Sequence, residues 1–82
     1  MTAPDTGTVT DALIGFIEGR TKLTWTEEQD LFASGAVTSL FAMELVVFVE
    51  QTFGVSVTGP DLTLDNFRTV RAMAALVARL RA

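Results

Sequence analysis

The sequence predicts an all-α protein, a bundle of four helices with a long first loop and a short third helix. Three stretches, near 9–19, 39–53 and 69–81, place apolar residues at the i, i+3/i+4 spacing of an amphipathic helix. Ser, Thr and Gly residues of the kind that cap or stop helices bound these stretches. Strand-type alternation is confined to 55–58, which runs into a Gly-Pro pair, so this segment is expected to be extended or looped.

The first helix is expected from about residue 9 to 19. Thr8 and Thr10 are candidate N-caps, and Gly19 is the candidate stop. Gly15, inside the helix, should cost roughly 1 kcal/mol relative to Ala. The apolar face of this helix is formed by Val9, Leu13, Phe16 and Ile17.

The segment from residue 20 to 38 has no long periodic run and predicts an ordered loop. Thr26 and Gln29 have the spacing of a capping box, so one helical turn is expected near 27–33, before Gly35 ends it.

Residues 39–53 carry the strongest helix signal, closed by Gly54 at the C′ position. The β-branched residues of 46–49 leave a strand as the alternative. Fifteen residues with a Gly stop exceed the usual strand length, so the helix is favoured.

The remaining elements complete an antiparallel-type bundle. Thr63 can cap a short turn that runs through Asn66, and apolar periodicity predicts a last helix from about Thr69 to Arg81. Arginines near its C-terminus suit the helix dipole.

Eighty-two residues form one domain's worth of chain, which should bury about 60–65% of the surface that the unfolded chain exposes. We see no internal repeat or second domain, so residues 1–82 are expected to be a single domain. Residues 1–8 are expected to be a flexible N-terminus.

The composition argues against catalysis by the polypeptide. The chain has no Cys, no His and no Tyr, which excludes the usual zinc sites, disulfides, thiolate nucleophiles and Ser-His dyads. A carboxylate pair or a Ser activated by Lys22, the single lysine, remains, but a core this small leaves little room for a dry cleft around either. We expect a protein that is not an enzyme and holds no metal.

The charges are unevenly placed. Residues 1–67 hold all ten acidic residues, whereas 68–82 hold four arginines and no acid. The acidic body argues against a nucleic-acid ligand and suits a basic protein partner. The first ten residues lack the charged and apolar regions of a signal peptide, and no stretch is long enough to span a membrane, so a cytoplasmic location is expected. We also expect a monomer.

Ser39 stands at the start of the most apolar helix, after a loop anchored by apolar residues. The positive end of the helix dipole favours an anion, so a phosphodiester on Ser39 would lie where negative charge is best tolerated. The structural alternative is that Thr38 or Ser39 is only an N-cap.

The sequence resembles the acyl carrier proteins, from about Val9 to Leu80. Thr38-Ser39-Leu40, followed by Glu44-Leu45-Val46, carries the resemblance; the usual family form is Asp-Ser-Leu. The resemblance implies that Ser39 carries a 4′-phosphopantetheine arm, attached by a phosphopantetheinyl transferase, whose thiol holds an acyl group as a thioester for acyl-loading and acyl-modifying enzymes.

Two features depart from the family pattern. Thr38 stands where the family usually has Asp, a residue that normally contributes to binding of the loop by the transferase. Gly35 lies four residues before Ser39, whereas many members have the glycine three residues before the serine. Thr38 can still cap the helix, so the geometry that presents Ser39 can persist.

Within the family, residues 39–50 look like the freestanding carriers of polyketide and antibiotic biosynthesis that hold a glyceryl unit and mature it into hydroxymalonyl or methoxymalonyl extender units. A polyketide synthase acyltransferase would then be a partner. A more general polyketide, fatty acid or D-alanyl carrier is the alternative.

The second helix has more apolar positions than one buried face can hold. The resemblance implies that enzymes dock on this helix, and we expect Leu40, Met43 and Val47, flanked by Glu44 and Glu50, to meet them. The core positions are expected to be Phe41, Leu45, Phe48 and Val49.

Two rival functions remain. A small helical protein-protein interaction domain without a prosthetic group would use Ser39 only as a cap. A helix-turn-helix DNA binder that uses the basic last helix is disfavoured by the overall charge.

Overall fold

The computed structural model describes residues 6–33, 35 and 37–81, and the regular structure in these ranges is entirely helical. A single 3-10 turn, Gly59–Asp61, precedes the short third helix, and no strand occurs in the described ranges. The predicted all-α fold, with a long first loop and a short third helix, is confirmed. The helices are α1 (Thr6–Thr21), α2 (Ser39–Phe53), α3 (Leu64–Phe67) and α4 (Val70–Arg81).

Helix α1 is longer than predicted at both ends. It begins at Thr6, so Thr8 and Thr10 lie within the helix and are not its caps, and it continues through Gly19. Residues 1–5 lie outside the described residues; the flexibility of 1–8 stays a prediction, although the last three of those residues are helical.

Helix α1 ends where the backbone of Lys22 turns into the left-handed region, at φ 61°. The Lys22 N–H donates to the Glu18 carbonyl at 2.9 Å, so Lys22 fills the position that glycine usually takes after a helix. No glycine marks this end, which is why the sequence pattern placed the stop too early.

Helix α2 has the predicted bounds, Ser39–Phe53. The Thr38 hydroxyl accepts a hydrogen bond from the Phe41 N–H at 3.3 Å and caps the first turn. Gly54 takes φ 67°, a conformation that costs glycine little, and its N–H donates to the Glu50 carbonyl at 3.0 Å. Both ends of α2 are therefore fixed by local chemistry.

One apolar core joins the helices. Helix α4 packs against both α1 and α3, and the first loop contributes side chains from beneath. Trp25 is buried, and its indole N–H donates to the Thr21 hydroxyl at 2.7 Å. The fully buried side chains are Leu13, Ile17, Leu31, Leu45, Val49, Val70, Met73, Leu76 and Val77.

The helical turn predicted near 27–33 does not form; the chain makes two separate turns there. Half of the capping box is present, since the Gln29 side-chain carbonyl accepts from the Thr26 N–H at 3.3 Å. The Asp30 carboxylate then accepts from the N–H groups of Phe32 and Ala33, at 2.9 and 3.0 Å. Those donors are thus satisfied without a helix, which explains the difference.

The C-terminal half follows the predicted order. The Thr63 hydroxyl accepts from the Asn66 N–H and caps α3, as expected. The Thr69 hydroxyl accepts from the Ala72 N–H at 3.0 Å at the start of α4. None of the described helices combines the length and the apolar character needed to cross a bilayer.

Candidate functional site at the start of α2

Ser39 is the first residue of α2 and is exposed. Thr38 takes an extended conformation before it and supplies both the cap hydroxyl and the carbonyl that accepts from Ala42 at 3.0 Å. Thr38 therefore does the capping, and the Ser39 hydroxyl makes no hydrogen bond within the described ranges. This leaves a surface hydroxyl at the positive end of the α2 dipole.

An apolar groove of about 260 Å³ lies beside Ser39, between α2 and the segment that leads into α3. Its rim is exposed, because Leu62 and Leu64 leave about half of their surface in solvent. A group attached to Ser39 would have this groove within reach. The groove is lined by Ser39, Ala42, Met43, Val46, Leu62, Thr63, Leu64 and Phe67.

The predicted surface strip of α2, formed by Leu40, Met43 and Val47, is exposed. These side chains are 77%, 56% and 48% exposed, against 0% for Leu45 and Val49 on the buried side. The strip is exposed as expected, but of the four expected core residues only Leu45 and Val49 are buried, and Val46 is buried beside them. The strip is the candidate docking surface of the protein.

A second groove, of about 390 Å³, runs along the other side of the strip, between α1 and α2. The Phe16 ring forms its floor and stacks on Phe48, with ring centroids 4.2 Å apart. Phe41 and Phe48 are only half-buried, because they pack at this edge of the core and not at its centre. The lining residues are Phe16, Arg20, Leu40, Met43, Glu44, Val47, Phe48 and Gln51.

Glu44, predicted to flank the strip, is bound within the molecule by Arg20. The Arg20 Nη1 lies 2.6 Å from the Glu44 Oε1, and the two side chains stay about half exposed. The Arg20 guanidinium carbon also lies 5.2 Å from the centroid of the Phe16 ring, a cation–π distance. Arg20 thus ties the end of α1 to the middle of α2.

Glu50, the other predicted flanking carboxylate, also has an internal partner. Its Oε2 accepts from the Val57 N–H at 2.8 Å, which holds the chain that leaves α2. Glu18 does the same after α1, where its Oε2 accepts from the Trp25 N–H at 2.9 Å. The two glutamates are each placed four residues before the left-handed residue that ends their helix.

The loop that leads to Ser39 is held to the α3–α4 junction by backbone hydrogen bonds and ion pairs. The Arg71 N–H donates to the Glu27 carbonyl, and the Leu31 N–H donates to the Arg68 carbonyl, both at 2.8 Å. The Arg71 guanidinium lies 2.5 Å from the Glu27 carboxylate and 3.6 Å from that of Glu28. Arg68 and Arg71 thus pair with carboxylates of the domain itself.

The pKa of the Asp30 carboxyl in this loop is displaced from its ordinary value. Desolvation acts to raise the pKa, but the N–H donors of Phe32 and Ala33 and the nearby Arg68 guanidinium outweigh it, so the pKa of Asp30 lies below its ordinary value.

In the described part of the chain, no group of three or more acidic side chains is arranged to hold a metal ion.

Arg20 is the site residue that the sequence reasoning missed. It is one of only two cations in the first 67 residues, and it lies 24 positions before Glu44. The only indication in the sequence was a single positive charge among acidic residues, which does not predict the carboxylate that Arg20 binds.

Comparison with known proteins identifies the family. Residues 12–77 match the family described as PP-binding, phosphopantetheine attachment site. No match was found among curated proteins. The match begins within α1, includes the Ser39 segment, α2 and α3, ends within α4, and covers most of the chain. Its members carry a covalent 4′-phosphopantetheine and are carriers without catalytic activity of their own. The chain therefore belongs to the phosphopantetheine-binding family of carrier proteins.

Proposed function

We propose that the protein is an acyl carrier whose 4′-phosphopantetheine is attached to Ser39. One observation carries the proposal: Thr38 caps α2, which leaves the Ser39 hydroxyl exposed and without a hydrogen bond in the described ranges, inside the matched segment. Because the Thr38 side chain fills the cap position, it supports this role for Ser39 over that of a mere cap.

The local electrostatics suit the modification. A phosphodiester at Ser39 would bring a negative charge to the positive end of the α2 dipole, an interaction typically of about 0.3–1 kcal/mol at an exposed site. When bound, the arm supplies a terminal thiol that holds the acyl group as a thioester. The chain itself has no Cys that could compete for that group.

Partner enzymes are proposed to dock on the outer strip of α2. Leu40, Met43 and Val47 would meet a phosphopantetheinyl transferase and then the acyl-loading and acyl-modifying enzymes, with Glu44 and Glu50 at the borders. Each contact should be weak and brief, since one small domain must visit several enzymes. The chain is proposed to act as a monomer in the cytoplasm, where coenzyme A and these enzymes are available.

Intact-mass measurement tests the attachment. The protein is incubated with coenzyme A and a permissive phosphopantetheinyl transferase, and a gain of one phosphopantetheine is expected. Ser39→Ala should abolish the gain, whereas Ser56→Ala, the same change at another exposed serine, should keep it. A persistent gain in Ser39→Ala would refute the site. No gain with several transferases would favour an interaction domain without a prosthetic group.

For the cargo, we propose a glyceryl unit that is matured to a methoxymalonyl-type polyketide extender and passed to a polyketide synthase acyltransferase. The residues of α2 from Ser39 to Glu50 support this assignment. Mass spectrometry of the protein isolated from its native cells, with the cargo released by hydroxylamine, should find a three-carbon glyceryl unit or its methoxymalonyl product. A D-alanyl or long fatty acyl group would contradict it.

A further inference from the structure

We infer that the docking surface of α2 fits partners whose contact face is apolar and poor in Lys and Arg, and that Arg20 is the residue that sets this preference. The inference rests on the proposed carrier function, because it concerns the enzymes that meet the strip of Leu40, Met43 and Val47. It revises the expectation, drawn from the acidic composition, of a basic partner.

Both carboxylates of α2 already have partners. Glu44 is bound by the Arg20 guanidinium at 2.6 Å, and Glu50 accepts from the Val57 N–H at 2.8 Å. These two are the only charged side chains of α2. Arg20 therefore offsets the charge of Glu44, the carboxylate beside the strip, whereas Glu50 keeps its charge but is held by the chain that leaves α2.

A contact with the Phe16 ring holds the Arg20 side chain beside Glu44. Its guanidinium lies over the Phe16 ring, and that ring is in turn stacked on Phe48, so the arginine side chain rests on the floor of the α1–α2 groove. Among the described residues that line the groove, Arg20 and Glu44 are the only charged ones. The wall beside the strip is thus neutral overall, with a cation at its α1 edge.

Charge complementarity then selects the partner. A partner face rich in Lys and Arg would meet the Arg20 cation first and would have to displace it before reaching Glu44. Because like charges repel, this contact opposes association. The Arg20–Glu44 ion pair does not weaken the contact with an apolar partner face, which can bury the exposed Leu40, Met43 and Val47. The occupant of the strip is therefore an apolar enzyme surface with neutral hydrogen-bonding groups at its border.

Two phosphopantetheinyl transferases make the test, one with an apolar docking face and one whose docking face carries clustered Lys and Arg. The kcat/KM of each is measured with the wild-type chain and with Arg20→Gln, at low and at high salt. Arg20→Gln should raise kcat/KM for the basic-faced transferase about two- to fivefold, the worth of one exposed ion pair. The gain should shrink at high salt, and the apolar-faced transferase should change little.

Arg79→Gln is the matched control, because it removes the same charge from an exposed arginine of α4 that lines neither groove. Glu44→Gln in the Arg20→Gln background should cancel the gain. An unchanged ratio of the two kcat/KM values in Arg20→Gln, or an equal change in Arg79→Gln, would overturn the inference. Failure of the carrier function is seen separately, as no mass gain in the wild-type chain with either transferase.

Discussion

The Glu50 carboxylate accepts a hydrogen bond from the Val57 N–H at 2.8 Å, and this contact fastens the chain just after α2. Val57 is buried, so its N–H has little access to water if the carboxylate is lost. Glu50→Ala should lower the free energy of unfolding by about 1–2 kcal/mol. Urea denaturation checks this, with Gln51→Ala at the exposed neighbour as the control. Equal stability of the two variants would contradict a structural role for Glu50.

Lys22 should be replaceable by glycine with a gain in stability. Its φ of 61° is costly for a residue with a Cβ, so Lys22→Gly should raise the free energy of unfolding by about 1 kcal/mol. Lys22→Ala removes the same charge but keeps the Cβ, and should bring no such gain. Thermal and urea unfolding distinguish the two variants, and a stabilised Lys22→Ala would point to the charge instead.

Thr38 is expected to stabilise α2 through its hydroxyl. Thr38→Val keeps the shape but removes the acceptor for the Phe41 N–H, and should cost about 1 kcal/mol. Thr38→Asp restores the residue usual in acyl carrier proteins and should be at least as stable as the wild type, since Asp also caps and suits the dipole. Urea unfolding measures both. A Thr38→Val protein as stable as the wild type would show that the cap contributes nothing.

Asp30 should make stability depend on acid. Because the folded-state pKa of Asp30 is lowered, its carboxylate stabilises the fold above the unfolded pKa of about 4, and this contribution is lost as the pH falls through the folded value. Asp30→Asn should therefore lose less stability than the wild type when the pH is lowered below about 4. Arg68→Gln, which removes one cause of the shift, should weaken the dependence in part. Identical pH profiles of Asp30→Asn and wild type would contradict this assignment.

Met43→Glu tests the docking strip. Met43 is 56% exposed, so a charge there should leave the thermal midpoint nearly unchanged. A carboxylate in the centre of an apolar contact should lower kcat/KM for transferase and acyl-transfer partners about tenfold or more. Ala75→Glu, on the exposed side of α4, is the control for the added charge. An undiminished rate, or an unfolded Met43→Glu protein, would count against the proposed role.

The sequence was most informative where local chemistry decides the structure. The bounds of α2 follow from a Thr cap and a Gly stop, which act within a few residues and can be recognised in the sequence. The end of α1 could not be predicted, because Lys22 takes a left-handed conformation that no residue type announced. The turn near 27–33 was misjudged for a related reason: Asp30 satisfies the N–H groups that a helix would have used.

The candidate site, too, could be predicted from the sequence only in part. The position of Ser39 and the exposed strip follow from helical periodicity and from the family resemblance. The internal partners of Glu44 and Glu50 depend on how α1 and the segment after α2 are placed in three dimensions, which one sequence does not show. The sequence places both glutamates beside the strip, and the structure adds an internal partner for each, Arg20 for Glu44 and the Val57 N–H for Glu50.

The burial of Trp25 gives the protein a built-in optical reporter. Trp25 is the only tryptophan and the chain has no tyrosine, so selective excitation of the indole observes this one residue of the first loop. Its ring is buried and hydrogen-bonded to Thr21 at the end of α1, where its emission should differ from that of a hydrated indole. Any enzyme that loosens the loop from α1 while it works at the start of α2 should therefore shift the emission colour, and that movement can be timed without attaching a dye.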